Sequence, residues 1–277
     1  VDKLNRETEQ FSASSGRASY TETEKGITVK ANGRTFVFSK KDGQLKDVSV
    51  NNRKISFANG PRFIGARRAD RSLDQFYNHD DEKAKAKDRT YSEFTDAAVF
   101  TKLDVKEEGG NLILTANYKL GNLDKAQWTI HPDGMATLDY TYNFSGVVDL
   151  MGICFDYPEE QVLSKRWLGA GPYRVWQNRI HGTQYDIWEN DYNDPIPGET
   201  FTYPEFKGYF GSVSWMSIRT KEGTISLTNE TPDSYIGVYQ PRDGRDRLLY
   251  TLPESGISVL NVIPPVRNKV NSTDLCG

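Results

Sequence analysis

Residues 26–39 read Gly-Ile-Thr-Val-Lys-Ala-Asn-Gly-Arg-Thr-Phe-Val-Phe-Ser, two alternating apolar and polar stretches joined by Asn32-Gly33. A period of two sends successive side chains to opposite faces of a strand, and Asn-Gly supplies the left-handed pair that a two-residue hairpin needs. The same grammar recurs along the chain at intervals of about 8–12 residues. Lys41-Asp42-Gly43 marks a turn before a strand over 44–50, and Asn51-Asn52-Arg53 another before 55–57. Strands are expected again over 97–106, 111–120, 125–131, 135–144 and 150–157, with Pro132-Asp133-Gly134 as a further turn. Late in the chain the pattern predicts strands over 210–220, 223–228, 234–239 and 256–262. No long stretch carries apolar residues at helical spacing. The expected class is therefore all-β, an antiparallel sandwich.

The chain has 277 residues and a formal net charge of −3, so it offers no basic footprint for nucleic acid. No run approaches the roughly 20 apolar residues of a membrane-spanning helix. Residues 1–19 are rich in Ser, Glu and Arg and read as a linker or lead-in, with one domain expected over 20–277. No charged start followed by an apolar segment is visible, and secretion stays open. Residues 66–90 read as a long polar loop with one helical turn near 81–87. Cys154 and Cys276 are too few for a disulfide framework and read as a buried thiol and a tail thiol. His79, His131 and His181 are scattered, so no metal site and no cofactor are expected.

The densest chemistry lies between Trp167 and Trp215, which holds four of the five tryptophans. Trp167-Leu-Gly-Ala-Gly-Pro-Tyr-Arg-Val-Trp-Gln-Asn-Arg179 is followed by Tyr185-Asp-Ile-Trp-Glu-Asn-Asp. Flat aromatic faces beside planar polar groups suit a sugar, whose C–H face packs on indole while its hydroxyls take fixed hydrogen bonds. The same density also suits the core of a β-rich domain. Trp167 and Trp215 read as core, whereas Trp188, among acids and amides, reads as exposed. The candidate sugar contacts are Trp176, Asn178, Arg179, His181, Trp188, Glu189 and Asn190. Gly169 and Gly171 read as a tight bend rather than a phosphate cradle, because no helix signal follows them.

These features resemble the C-terminal, small-chain domain of family 2 β-galactosidases. Phe36-Val-Phe-Ser-Lys-Lys-Asp-Gly-Gln-Leu45 matches the opening hairpin strand of that domain, and Gly60-Pro61-Arg62-Phe63-Ile64 its Gly-Pro element. The Trp167–Arg179 block is similar to its Trp/Tyr-x-Gly-x-Gly-Pro block, and Leu260-Asn-Val-Ile-Pro-Pro-Val to its closing strand. The resemblance covers roughly residues 20–277. It implies a large antiparallel β-supersandwich of the galactose mutarotase type. Two departures mark a divergent branch. Gly65-Ala-Arg-Arg-Ala-Asp70 stands where relatives carry a Trp-Arg-Ala-Pro-Thr-Asp-Asn-like string, and Tyr173-Arg-Val-Trp176 where they carry His-Glu-Asn-Tyr. Galactose specificity is therefore not implied.

A retaining glycosidase needs two carboxylates about 5–5.5 Å apart. In the resembled family both lie in a separate barrel domain, so no catalytic residue is assigned here. The resemblance implies two partners, a carbohydrate and a catalytic glycosidase domain on the same or another chain. It favours a periplasmic or secreted location. Three alternatives stay open: an aldose epimerase pairing His181 with Glu189 or Glu205, a polysaccharide lyase using Tyr173, Arg174, Arg179, His181 and Tyr185, and a free-standing carbohydrate-binding module.

Overall fold

A computed structural model describes residues 17–68, 91–94, 96–192, 208–231, 233–239 and 255–265. These residues form two compact units, one from the described parts of Val1–Phe63 and Asp96–Ser145, the other from those of Ile64–Thr95 and Gly146–Gly277. Both are antiparallel β-structures. The one helical element among the described residues is a three-residue 3-10 turn at Glu159–Gln161. The expected all-β class is thus found.

The first unit begins with β1 (Ser19–Glu22), β2 (Gly26–Ala31), β3 (Arg34–Ser39), β4 (Leu45–Val50) and β5 (Arg53–Ile55). These run in order β1-β2-β3-β4, with β5 on β4. β6 (Ala58–Arg68) joins β4 through Leu45 and Gly60, and within it the chain passes into the second unit. β7 (Tyr91–Glu93) belongs to the second unit. β8 (Val99–Glu108), β9 (Asn111–Lys119), β10 (Leu123–Ile130) and β11 (Ala136–Tyr142) form a second sheet in order β11-β10-β9-β8.

Local sequence accounts for these hairpins. Asn32 and Gly33 both adopt positive φ, 41° and 73°, which matches the twist of the strands they join. Alternation then sorts the side chains. Ile27, Val29 and Ala31 of β2 and Leu112, Leu114 and Ala116 of β9 are all buried. Phe38 of β3 meets Trp128 of β10, their ring centres 6.0 Å apart, so the two sheets pack face to face. The hydroxyl of Tyr118 donates to the carbonyl of Asp42 at 2.9 Å, tying a turn of one sheet to a strand of the other.

The second unit continues with β12 (Leu150–Asp156), β13 (Val162–Gly171), β14 (Gln184–Asp191), β15 (Phe210–Gly211), β16 (Trp215–Thr220), β17 (Gly223–Thr228), β18 (Tyr235–Val238) and β19 (Ile257–Val262). One sheet has the order β6-β12-β19-β18-β15, with β7 on β6; the other has the order β14-β13-β16-β17. Trp167 of β13 and Phe210 of β15 pack edge to face at 4.9 Å, and Ile64, Leu150, Val175, Trp176, Tyr209 and Leu260 belong to one buried cluster.

Several expectations change here. The segment 210–220 is two strands: Ser212 takes a positive φ of 48° where the chain leaves β15 in one sheet for β16 in the other. The polar loop expected over 66–90 is overturned at its start, since β6 continues to Arg68, and residues 69–90 lie outside the described residues. The helical turn near 81–87, Cys276, and all of the lead-in before residue 17 lie outside the described residues. Cys154 is buried, as expected.

Candidate functional site

The aromatic block lies on β13, β14 and the segment joining them. Gly169 and Gly171 are not a bend. They are the last inward positions of β13, and each lacks a Cβ for a packing reason. A Cβ on Gly169 would stand 3.0 Å from the backbone of Gly211 and Val213, and one on Gly171 would stand 2.4 Å from Trp188 Cδ1. Gly171 is thus the floor on which the Trp188 indole rests.

Beyond Gly171 the chain turns through Pro172. Val175 and Tyr209 exchange two backbone hydrogen bonds of 2.7 Å, which hold Trp176 inside the core. Trp176 and Arg179 then close a tight turn, the Arg179 amide donating to the Trp176 carbonyl at 2.9 Å. Asn178 and Arg179 are exposed on this turn, as is His181. The Tyr173 hydroxyl donates to the His181 carbonyl at 3.4 Å, and Thr183 Oγ1 donates to the Ile180 carbonyl at 3.3 Å. The chain then enters β14 as an edge strand, paired only with β13 among the described residues.

Register decides what each residue of β14 faces. Trp167 pairs with Trp188 and Lys165 with Asn190, so Trp188 and Asn190 lie on the row that turns inward. Leu168 pairs with Ile187 and Arg166 with Glu189, so Tyr185, Ile187 and Glu189 lie on the outward row. Trp188 is half-buried, and its Nε1 donates to the Gln184 carbonyl at 3.3 Å. Asp186 accepts from the Ile187 amide at 2.7 Å.

The seven candidate sugar contacts are therefore divided. Asn178, Arg179, His181 and Glu189 are exposed, and Trp188 is partly so. Trp176 is 1% exposed and packs at right angles on Tyr209 at 5.8 Å; a sealed indole has no face to offer a sugar. Asn190 is 6% exposed, beside the still more deeply buried Lys165, and is likewise out of a ligand's reach. Trp188 and Glu189 point to opposite faces of one strand and do not grip the same ring. The buried Arg174, with its guanidinium 5.5 Å from the Phe210 ring, removes one member of the lyase set. Glu205 lies outside the described residues.

Lys165 is the most confined cation of this region. Its ammonium donates to the Asp191 carbonyl at 3.2 Å and lies 5.3 Å from the Tyr192 ring and 5.9 Å from that of Phe210. Aromatic faces and a carbonyl replace part of the lost hydration. Trp215, read as core from sequence, sits on the outward row of β16, opposite Leu168, with the Arg166 guanidinium 5.7 Å above its ring. Sequence reasoning had no signal for this, because the phase of β16 is set only by its pairing. Among the described residues, no group of three or more His, Cys, Asp or Glu is arranged to hold a metal ion. No helix among them is long and apolar enough to cross a membrane.

An all-β sandwich with a glycine-floored aromatic strand at one sheet edge is the class defined by this geometry. The profile of the β-galactosidase small chain family matches residues 30–258, and the chain belongs to that family. No curated protein matches it in sequence comparison.

Proposed function

We propose that this chain is the non-cleaving sandwich domain of a β-galactosidase-like hydrolase, contacting sugar and completing a catalytic domain on the same or another chain. Residues 20–277 act together in that role, behind a lead-in over 1–19. Membership of the small-chain family supports the association with a β-galactosidase. The observation that carries the sugar-contacting part is the exposed strip that runs from the Trp176–Arg179 turn into β14. There Asn178, Arg179 and His181 offer donors and acceptors, and Trp188 offers the uncovered part of an indole face. Glu189, on the other face of β14, belongs to a different surface.

The test has two arms. Adding the chain to the separately purified catalytic domain is expected to raise hydrolysis of a nitrophenyl β-galactoside, while the chain alone gives none. Binding of galactosides on a glycan array is expected to fall with Trp188→Ala and Arg179→Ala and to survive Asn190→Ala wherever that variant stays folded. Hydrolysis by the chain alone, with no gain on mixing, rules the reading out.

A further inference from the structure

β17 closes the sheet β14-β13-β16-β17 on one side, and among the described residues it pairs only with β16. An open edge offers a row of unpaired amides and carbonyls to any strand that can lie beside it, so sheets usually guard their edges with charge, proline or a bulge. Every other edge strand of three or more described residues carries charge. β14 has three acids, β8 has five charged residues, β11 has Asp139, and β1, β5 and β7 each have at least one charged residue. β17 reads Gly-Thr-Ile-Ser-Leu-Thr, with no charge and no proline, and its ladder with β16 runs through six pairs without a bulge. Glu222, in the turn before it, accepts a hydrogen bond of 2.9 Å from the Tyr157 hydroxyl, which draws the acid back from the edge.

The order of the residues identifies the occupant. Thr224-Ile-Ser-Leu-Thr228 reads almost the same in both directions. Such a strand complements itself when a second copy runs antiparallel to it about a two-fold axis at Ser226. Thr224 then stands opposite Thr228 of the second copy, Ile225 opposite Leu227, and Ser226 opposite its own equivalent. Hydroxyls meet hydroxyls on the outward face, aliphatic groups meet aliphatic groups on the inward one, and no charge meets a like charge within the strand. Burial favours the same arrangement. Ile225 and Leu227 are cross-strand neighbours of the fully buried Ile218 and Met216, yet both are only partly buried at the open edge. A strand beyond β17 covers their free flank. Thr224, Ser226 and Thr228 are exposed, and a Cβ added at Gly223 would meet nothing within 4 Å, so the approach is open.

We propose that the chain self-associates through β17, two copies joining their four-stranded sheets edge to edge into one. A strand of six residues is about 20 Å long, which is short for an interface. The dimer is therefore a weak one, forming at micromolar rather than nanomolar concentration. Pairing through β17 depends on nothing in the function proposed above.

Sedimentation velocity of the full chain over a range of concentrations is expected to show a monomer–dimer equilibrium. Ser226→Lys, which sets two ammonium groups face to face at the axis, is expected to raise the dissociation constant about tenfold or more. Ser226→Glu alone is expected to do the same, and an equimolar mixture of the two variants to recover association, since each acid then meets a lysine. Ile187→Lys, on the opposite edge strand, is expected to leave association unchanged. In a Cys276→Ser background, Ser226→Cys is expected to cross-link under mild oxidation and Thr228→Cys is not, because only the residue on the axis faces its own copy. Thermal unfolding that matches the parent shows that the lysine removes pairing and not the fold; where it does not match, the cross-link decides. A parent chain that stays monomeric up to millimolar concentration overturns the proposal. So does a dimer that Ser226→Lys leaves intact while folded, and so does cross-linking of Thr228→Cys in place of Ser226→Cys.

Discussion

The two four-stranded sheets, β11-β10-β9-β8 and β14-β13-β16-β17, are built alike and used differently. Each is an antiparallel array with alternating inward and outward rows. In the first, buried Leu112, Leu114, Ala126 and Ile130 face inward, and the outer row of β8 carries Asp104 and Lys106, which pair with Lys102 and Glu108. In the second, a lysine lies in the buried row and Tyr185 and Ile187 stand outside. The first sheet follows the economical rule of apolar inside and charge outside. The second breaks it in both directions. Such departures from local rules are where function is expected, since nothing in the isolated fold requires them.

The comparison is broken most forcefully at Trp167. Its indole is fully buried against Phe210, and its Nε1 donates to the Ala170 carbonyl at 3.0 Å. Trp167→Ala is expected to cost about 3–5 kcal/mol, read as a shift in the urea midpoint. A cost near zero would mean that the second sheet is not packed as described.

Gly171→Ala comes next. The added methyl meets the Trp188 indole at 2.4 Å, so the ring must move off its floor. The expected cost is about 1–3 kcal/mol, with a change in tryptophan fluorescence that Trp188→Phe removes. An unchanged spectrum would place Trp188 elsewhere.

Trp215→Phe is expected to be neutral or stabilising by up to about 1 kcal/mol, because the buried Nε1 has no acceptor among the described residues. Clear destabilisation on chemical unfolding would show that the donor is satisfied after all.

The smallest effect belongs to the first unit. Burial pushes the Asp42 carboxyl upward, but hydrogen bonds from Lys46, the Gln44 amide and Ser39, with the Lys46 charge, outweigh it, and the group ends below its ordinary value. A depressed carboxyl stabilises the fold above the unfolded-state value and loses that contribution as pH falls through the folded one. Screened by solvent, it is worth about 0.5 kcal/mol or less. Asp42→Asn is therefore expected to be slightly less stable than the parent at pH 7 and equal to it in strong acid, by denaturant titration. A deficit that persists in acid would assign the loss to packing.

Tyrosines test the same units at the alkaline end. Burial, with a smaller effect of Tyr140, pushes the Tyr142 phenol up to about 12. A raised phenol stabilises the fold below the unfolded-state value near 10 and loses that contribution as pH climbs. Absorbance titration is expected to show late ionisation that Tyr142→Phe removes.

Much of the first unit was legible in residue order. β2, β3, β4 and β9 were read from alternation, and the Asn32-Gly33 turn from its dipeptide, because hairpins close between near neighbours. β13 and β14 were harder to see. Two glycines at inward positions of β13 imitate a bend, and the acids and amides of β14 imitate a loop. Both become strands only because each supplies the other's hydrogen bonds, across the twelve residues from Pro172 to Thr183 that separate them.

The candidate site was half visible for the same reason. Composition singled out the aromatic run and, with it, a region worth attention. It placed Trp167 in the core, where it lies, but placed Trp215 there as well and offered the sealed Trp176 to a sugar.

Sequence alone set the all-β class, the tight turns and the family motifs, since these depend on residues close together in the chain. Tertiary structure decided that Trp176 is interior, that Trp188 lies on Gly171, and that Trp215 joins Leu168 and Ile187 on an open face. A side chain's exposure is fixed by the strand or sheet that comes to lie against it, and that neighbour is brought there by distant parts of the chain.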